Sequence, residues 1–499
     1  MTGAMTASHL RISLFALWAL AFVPTAASAA SFHHAPLPKE LRPFYTKPVQ
    51  FGYLTVPENR ARPNGRTLRI AAVIMKTTHP TPGAAPVFYL NGGPGGSCTA
   101  FGEIYPVFAA IQRHRDVVLI DQRGVGFSEP YLGYTAANAR EIRAARNGFR
   151  ARGIDLSAYN TTENAADIDA LRIALGHPQV IIFGNSYGSI LAQEVMRSFP
   201  GSVACAILNG VDPAETNFVV EANRNGRNGL GELFRDVRRT PAARRAFPRL
   251  ARTYFTLLRR LERRPIRIDG IVITSGTVQG LVLGYLQTPQ RIRLIPLLIT
   301  QIAREKSSPW LRKQFTPTGP PIPRSFSSGM YNSIVGTQYA SPGWVAQTRE
   351  ADATLGPRVF RESNSLAIMG LIRGVDIWGV PYHPRATRDP LVSNIRTLVL
   401  DGQMEAQTPF HGGATVASRL SRSYLLTFPR SGHGTGFTSG PAMQAILQFI
   451  ADPTRRPTCS LAALTRRDFY LTRVPGTSAS SRRAQELPDP EEDVFLPIP

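Results

Sequence analysis

The sequence predicts an α/β fold, a mostly parallel sheet covered by helices, with a helical cap inserted late in the chain. Three observations predict it. Short apolar runs that read as buried strands alternate with helical patterns, and such alternation implies a parallel sheet covered on both faces. Several of these runs pass straight into glycine-rich or acidic loops. From Pro213 to about Pro390 the alternation stops and helical patterns dominate.

The elements follow in order. "FGYLTVPENR" (51–60) and "RTLRIAAVIMKT" (66–77) read as a strand pair joined by the polar turn "ARPNG". "APVFYL" (85–90) is a strand that runs into "NGGPGGS" (91–97), and "RDVVLI" (115–120) one that runs into "DQRGVGFSEP" (121–130). A helix is expected over 161–175, capped by Thr161 or Thr162 and ended by Gly176 before Pro178. "VACAILNGV" (203–211) is a strand that closes at Asp212-Pro213, and Cys205 is expected to be buried in it. Within the cap, arginine is dense between Arg224 and Arg267; Thr240-Pro241 reads as a helix start and Pro248 as a break. "IRTLVL" (395–400) and "SYLLTF" (423–428) return to strands, and a helix follows over 441–450. The resulting division is 31–212 and 391–475 for the two parts of the core, with the cap over 213–390 between them. Residues 476–499 are polar and carry "DPEED", a composition expected of a disordered tail.

The first 30 residues read as a signal peptide. Arg11 closes a mildly basic start, "ISLFALWALAFV" (12–23) is too short to span a bilayer, and "TAASAA" offers small residues for cleavage near Ala29 or Ala30. The mature protein is therefore expected to be exported, to a periplasm or the cell exterior, without stable membrane insertion. The formal net charge is +23. The arginines are scattered and no basic stripe is interleaved with aromatics, so nucleic acid is not an expected partner; an acidic environment is the milder inference. Three cysteines, Cys98, Cys205 and Cys459, allow one disulfide at most. No histidine or cysteine spacing suits a metal, and no cofactor is expected. The sequence sets no oligomeric state.

The chemistry centres on "IIFGNSYGSILAQ" (181–193). A strand meets a helix with almost no loop, and Gly184 and Gly188 flank Ser186 in a G-x-S-x-G pattern that pushes a serine out at the top of a sheet. A serine hydroxyl needs a base within hydrogen-bond reach, and the base needs an orienting carboxylate. Downstream of Ser186 the histidines are His383, His411 and His433. His433, in the glycine-flanked loop "SGHGTG" after the last strand, is best placed to swing over the sheet edge. The acid is expected after "IRTLVL", at Asp401 on the strand end or at Glu405 in the loop, and the loop position favours Glu405. The oxyanion of a tetrahedral intermediate needs two backbone N–H groups. Tyr187, after the serine, supplies one, and "NGGPGGS" is the glycine-rich loop for the other.

Taken together, "NGGPGGS", "DQRGVGFSEP", "GNSYGS", "DGQMEAQTP" and "SGHG" resemble the proline iminopeptidase and tripeptidyl aminopeptidase branch of the α/β-hydrolases, over about residues 50–460. The resemblance implies a serine peptidase that removes residues from a free peptide N-terminus beneath a helical cap, with Ser186 as nucleophile, His433 as base and Gly93 and Tyr187 as oxyanion donors. It implies a structural role for Asp121 and Arg123, and a carboxylate that holds the substrate amine. Glu221, Glu232, Glu362 and Asp376 are the candidates for that carboxylate. There are departures: Asn91 stands where the family's first motif begins with histidine, Glu405 where it has aspartate, and Cys98 where it has glycine. An esterase using the same triad, and a non-catalytic binding protein on the same fold, are the alternatives; the intact serine, histidine and glycine loop argue against the second.

Overall fold

The computed structural model describes residues 31–102, 104–305, 308–315, 322, 324–353, 369–383, 388–465 and 469–471. The segment read as a signal peptide and the tail at 476–499 lie outside the described residues.

One nine-stranded sheet organises the chain, in the order β1-β2-β3-β5-β4-β6-β7-β10-β11. Its strands are β1 (Phe32–Ala35), β2 (Gln50–Pro57), β3 (Thr67–Met75), β4 (Val87–Leu90), β5 (Val117–Ile120), β6 (Val180–Asn185), β7 (Val203–Asn209), β10 (Thr397–Gly402) and β11 (Ser423–Phe428). A separate hairpin, β8 (Ile266–Ile268) with β9 (Ile271–Ile273), lies among the later helices. β1 to β3 and the β3–β5 pair are antiparallel. Every pairing from β5 through β4, β6, β7 and β10 to β11 is parallel. The central parallel strands β4, β5 and β6 are buried on both faces, which is why they read as continuous apolar runs rather than alternating ones. Their carboxyl ends share one edge, where open α/β sheets bind ligands.

Two apolar clusters cover the sheet faces. The helix Thr161–Ala174 begins at Asn160, whose side chain accepts the Glu163 N–H at 2.9 Å. Neither threonine caps it; the Thr161 hydroxyl is instead drawn inward to Tyr187 and Gln338, at 2.9 and 2.7 Å. Pro241 does open a short helix, and a new helix, Leu250–Arg263, follows Pro248. β1, the hairpin and the helix Ala139–Ala151 are elements that the sequence reading did not single out. All three cysteines are free, with Cys98 and Cys205 buried. No helix among the described residues is long and apolar enough to cross a membrane.

The chain between β7 and β10 divides its packing. Leu230 to Leu311 build a third apolar cluster of their own, joined by Met404, Ala406 and Phe469. Met330, Ile334, Tyr339, Ile372 and Trp378 instead pack into the cluster on the main sheet. Residues 325–327 even pair with the glycine loop after β4: Ser97 N–H donates to Ser325 O and Ser327 N–H to Gly95 O, both at 2.9 Å.

Candidate active site

Each parallel strand from the centre to one edge delivers a residue of interest just past its carboxyl end. β6 delivers Ser186, at φ 57° and ψ −129°. This left-handed conformation is rare for a residue with a Cβ and marks stored strain. The flanking glycines explain how the strand can turn so sharply into the helix Tyr187–Ser198. A Cβ on Gly184 would stand 2.3 Å from Gly188 O, and one on Gly188 2.0 Å from Leu90 O. The helix thus lies against the strand backbones at a distance that only glycine permits. Ser186 remains half-buried, and its N–H donates to Asn209 O at 3.0 Å.

β4 delivers the glycine loop. Gly92 abuts the nucleophile turn so closely that a Cβ there would come within 2.5 Å of Ser186 Cβ. Gly93 has φ 117°, again a glycine conformation. Asn91 ties the loop together: its Oδ1 accepts from Gly92 N–H and Tyr89 Oη at 2.8 and 2.9 Å, and its Nδ2 donates to Ser97 O at 2.7 Å. Asp121, buried beneath the loop, accepts from Ser97 Oγ, the N–H groups of Cys98, Thr99 and Phe127, and Thr99 Oγ1. Arg123 is buried too, and donates to Asp167, Glu163 and the carbonyls of Glu58 and Ala158. Gly93 and Tyr187 line the same cavity as Ser186. Tyr187 is the first residue of its helix, where a backbone N–H has no intrahelical partner.

β10 and β11 deliver the acid and the histidine. Glu405 Oε2 lies 3.0 Å from His433 Nδ1, and both side chains are buried. Glu405 Oε1 accepts three further N–H bonds, from Ala406, Gln407 and Thr408 at 2.8, 2.7 and 3.2 Å. Burial pushes this carboxyl up, but His433 and the loop N–H groups outweigh it and hold Glu405 below its ordinary value. It is therefore ionised at neutral pH. Asp401 takes another path. It faces Gly413, where a Cβ would stand 2.1 Å from Oδ2, and backbone N–H groups of Gly413 and Val211 serve it. Burial and the neighbouring Glu405 charge push Asp401 up to about 7. His411 stands at the start of the helix Gly412–Ala417 without a side-chain cap bond, and His383 N–H donates to Thr337 O.

One residue that sequence reasoning passed over joins these parts. Asn209 ends β7 and is fully buried. Its Nδ2 donates to Asn185 Oδ1 at 2.7 Å and to His433 O at 3.0 Å, and its Oδ1 accepts Gly436 N–H at 2.8 Å. It clamps the end of β6 to the His433 loop. The next residue, Gly210, sits under the imidazole, where a Cβ would be 2.7 Å from Nδ1. The one local trace it leaves in the sequence is a polar residue at the end of an apolar strand, which does not tell what it will bond.

The cavity at Ser186 has a volume of about 350 Å³. Phe218, Ala222 and Leu283 form apolar wall from the region between β7 and β10, with Ala406 from the acid loop. The carboxylates expected to hold an amine are elsewhere. Glu221 pairs with Arg224 at 2.6 Å and Glu232 with Arg235, each one helical turn away. Asp376 is hydrogen-bonded at Trp344. None of the three lines the cavity. Glu221 and Glu232 each have their arginine at i+3, and Asp376 is exposed. Glu362 lies outside the described residues. No group of three or more potential metal ligands occurs among the described residues.

Comparison with known proteins adds a family. A family model described as alpha/beta hydrolase fold matches residues 85–433. Tripeptidyl aminopeptidase of Streptomyces lividans is 30% identical over 204 residues, 36% of this chain and 38% of that protein. Serine protease Hip1 of Mycobacterium tuberculosis is 29% identical over 210 residues, 37% of this chain and 39% of that protein. Proline iminopeptidase of Xylella fastidiosa is 33% identical over 131 residues, 26% of this chain and 33% of that protein. The chain thus matches less than two fifths of the length of each of these relatives.

Proposed function

Because this chain belongs to the α/β-hydrolase fold family, we propose that it is an exported serine aminopeptidase that releases proline or short oligopeptides from free peptide N-termini. Ser186 Oγ attacks the scissile carbonyl carbon and passes its proton to His433 Nε2. That nitrogen is the available one, since Nδ1 faces Glu405 at 3.0 Å. Ionised Glu405 fixes the tautomer and stabilises the imidazolium. The oxyanion is held by the N–H groups of Gly93 and Tyr187. His433 then gives the proton to the leaving amine nitrogen as the C–N bond breaks. Water, activated by the same histidine, releases the acyl group and restores Ser186.

The observation that carries this reading is the buried Glu405–His433 pair on the sheet edge where strained Ser186 projects. The peptidase names of the relatives support the peptidase class, and the pattern of residues 1–30 supports export.

Two measurements test it. A serine-directed phosphonate labels Ser186, and Ser186→Ala abolishes the label and lowers turnover by roughly three or more orders of magnitude; a label on another serine sinks the reading. Purified protein is then assayed on aminoacyl, dipeptidyl and tripeptidyl chromogenic amides beside short acyl esters. Turnover of esters alone makes the protein an esterase.

A further inference from the structure

The cavity beside Ser186 contains a carboxylate that the hydrolytic steps leave unused. Asp212, just past β7, lines it and is only 2% exposed. Its backbone is fixed: the N–H donates to Ser189 Oγ at 3.0 Å and the carbonyl accepts from Gln193 Nε2 at 2.9 Å. Its side-chain Oδ1 has no hydrogen-bond partner. No cation pairs with it among the described residues. The charges around it are acids already engaged, Glu405 with His433, Glu215 with Arg419 and Glu221 with Arg224. Burial first, and these acids second, push the Asp212 carboxyl well above the usual range.

Two more residues of the cavity lining carry a buried polar atom without a partner. Gln287 Nε2 comes from the region between β7 and β10, and Thr408 Oγ1 from the acid loop. A buried donor or acceptor left unpaired is costly, and native proteins contain few. An acceptor, a donor and a hydroxyl that meet around one cavity beside a nucleophile describe the ligand that would satisfy them. It brings a cationic donor for Asp212 and a carbonyl for Gln287, and apolar bulk for the walls at Phe218 and Leu283. A simple acyl ester has no cation to offer.

We propose that Asp212 anchors the free α-ammonium group of the peptide substrate, while Gln287 Nε2 donates to a carbonyl of the same peptide. This rests on the aminopeptidase reading above, and it places the anchor on the core, at the end of a sheet strand, rather than on the helices where acids were expected. The ammonium supplies the positive counter-charge that Asp212 lacks and so favours its ionised form, and the charge-assisted bond forms inside a desolvated cavity.

The test is the ratio of kcat/KM for an apolar aminoacyl or dipeptidyl amide to that for its N-acetylated analogue. In the wild type this ratio is expected to favour the free amine by about ten- to a hundred-fold. Asp212→Asn, equal in size, is expected to reduce the ratio to near one, and Asp212→Ser does the same if the asparagine variant fails to fold. Glu221→Gln is expected to leave the ratio within about two-fold. A wild-type preference that survives in both Asp212 variants, or is lost in Glu221→Gln instead, overturns the anchor and leaves the aminopeptidase reading standing. A wild type with no preference overturns both.

Discussion

Glu405 Oε2 and His433 Nδ1 stand 3.0 Å apart, buried together, although Asp401 occupies the strand end just before the acid loop. The loop brings the carboxylate back over the sheet edge because three of its own N–H groups wrap around Oε1, leaving Oε2 for the imidazole. Glu405→Gln should therefore lower kcat by on the order of 10³–10⁴-fold, since an amide neither fixes the tautomer nor stabilises the imidazolium. Asp401→Asn should cost at most about ten-fold. Steady-state kinetics on one amide substrate decide between them, and the reverse order would place the acid on the strand.

Asn209 offers a second check. Asn209→Ala leaves His433 O and Gly436 N–H buried without their partner, a loss of about 1–3 kcal/mol in stability for each such group. As a positioning residue it should lower kcat while leaving KM nearly unchanged, because the histidine loop loosens and the cavity walls stay. A variant that loses stability but keeps kcat would make Asn209 a structural residue only.

Gly188→Ala tests the elbow. The added Cβ meets Leu90 O at 2.0 Å, and backbone cannot step aside as a flexible side chain would. Overpacking of this kind typically costs about 1–3 kcal/mol, and here it also displaces β4, which carries the glycine loop. Denaturant unfolding should show the loss, with activity falling further than stability alone explains. Wild-type behaviour in both assays would remove the close approach from the account of Ser186.

The pH dependence of stability has a defined sign at Asp401. An aspartate in the unfolded chain titrates near 3.9, whereas burial and Glu405 push the folded carboxyl up to about 7. Between those values the folded state binds more protons, so the stability this group contributes is complete below about pH 4 and declines as pH rises to about 7. Asp401→Asn removes the titration. Its stability deficit against wild type should shrink from pH 5 to pH 7.5 in denaturant melts. A deficit that grows over that interval would contradict the assignment.

Much of this arrangement was legible in the sequence, because its signals are local. Gly184 and Gly188 announce a tight turn whichever sheet they belong to, and the apolar run before Ser186 says that the turn ends a buried strand. Glu405 could be favoured over Asp401 from its position in the loop rather than on the strand. Asn209 and Asp212 were not legible as parts of the site. What faces them comes from distant parts of the chain, the His433 loop for Asn209 and the cavity lining for Asp212, and nothing in "ILNGVDP" records it. Nor did the sequence distinguish the acids that arginines would neutralise from one left alone in a cavity. Glu221 and Glu232 each have an arginine three residues on, and each is paired with it in the structure.

The short ladder between the glycine loop and residues 325–327 bears on how this protein could be recombined. An engineer who exchanged everything from 213 to 390 for the equivalent region of a relative would also remove the strand-like segment that braces Gly95 and Ser97. The transplantable cassette is narrower. It comprises the self-contained cluster from about Leu230 to Leu311, with matching contacts at Met404 and Ala406. Chimeras cut at those seams should inherit a new specificity on an undisturbed glycine loop, whereas those cut at the wider seams must import that loop's brace along with the guest.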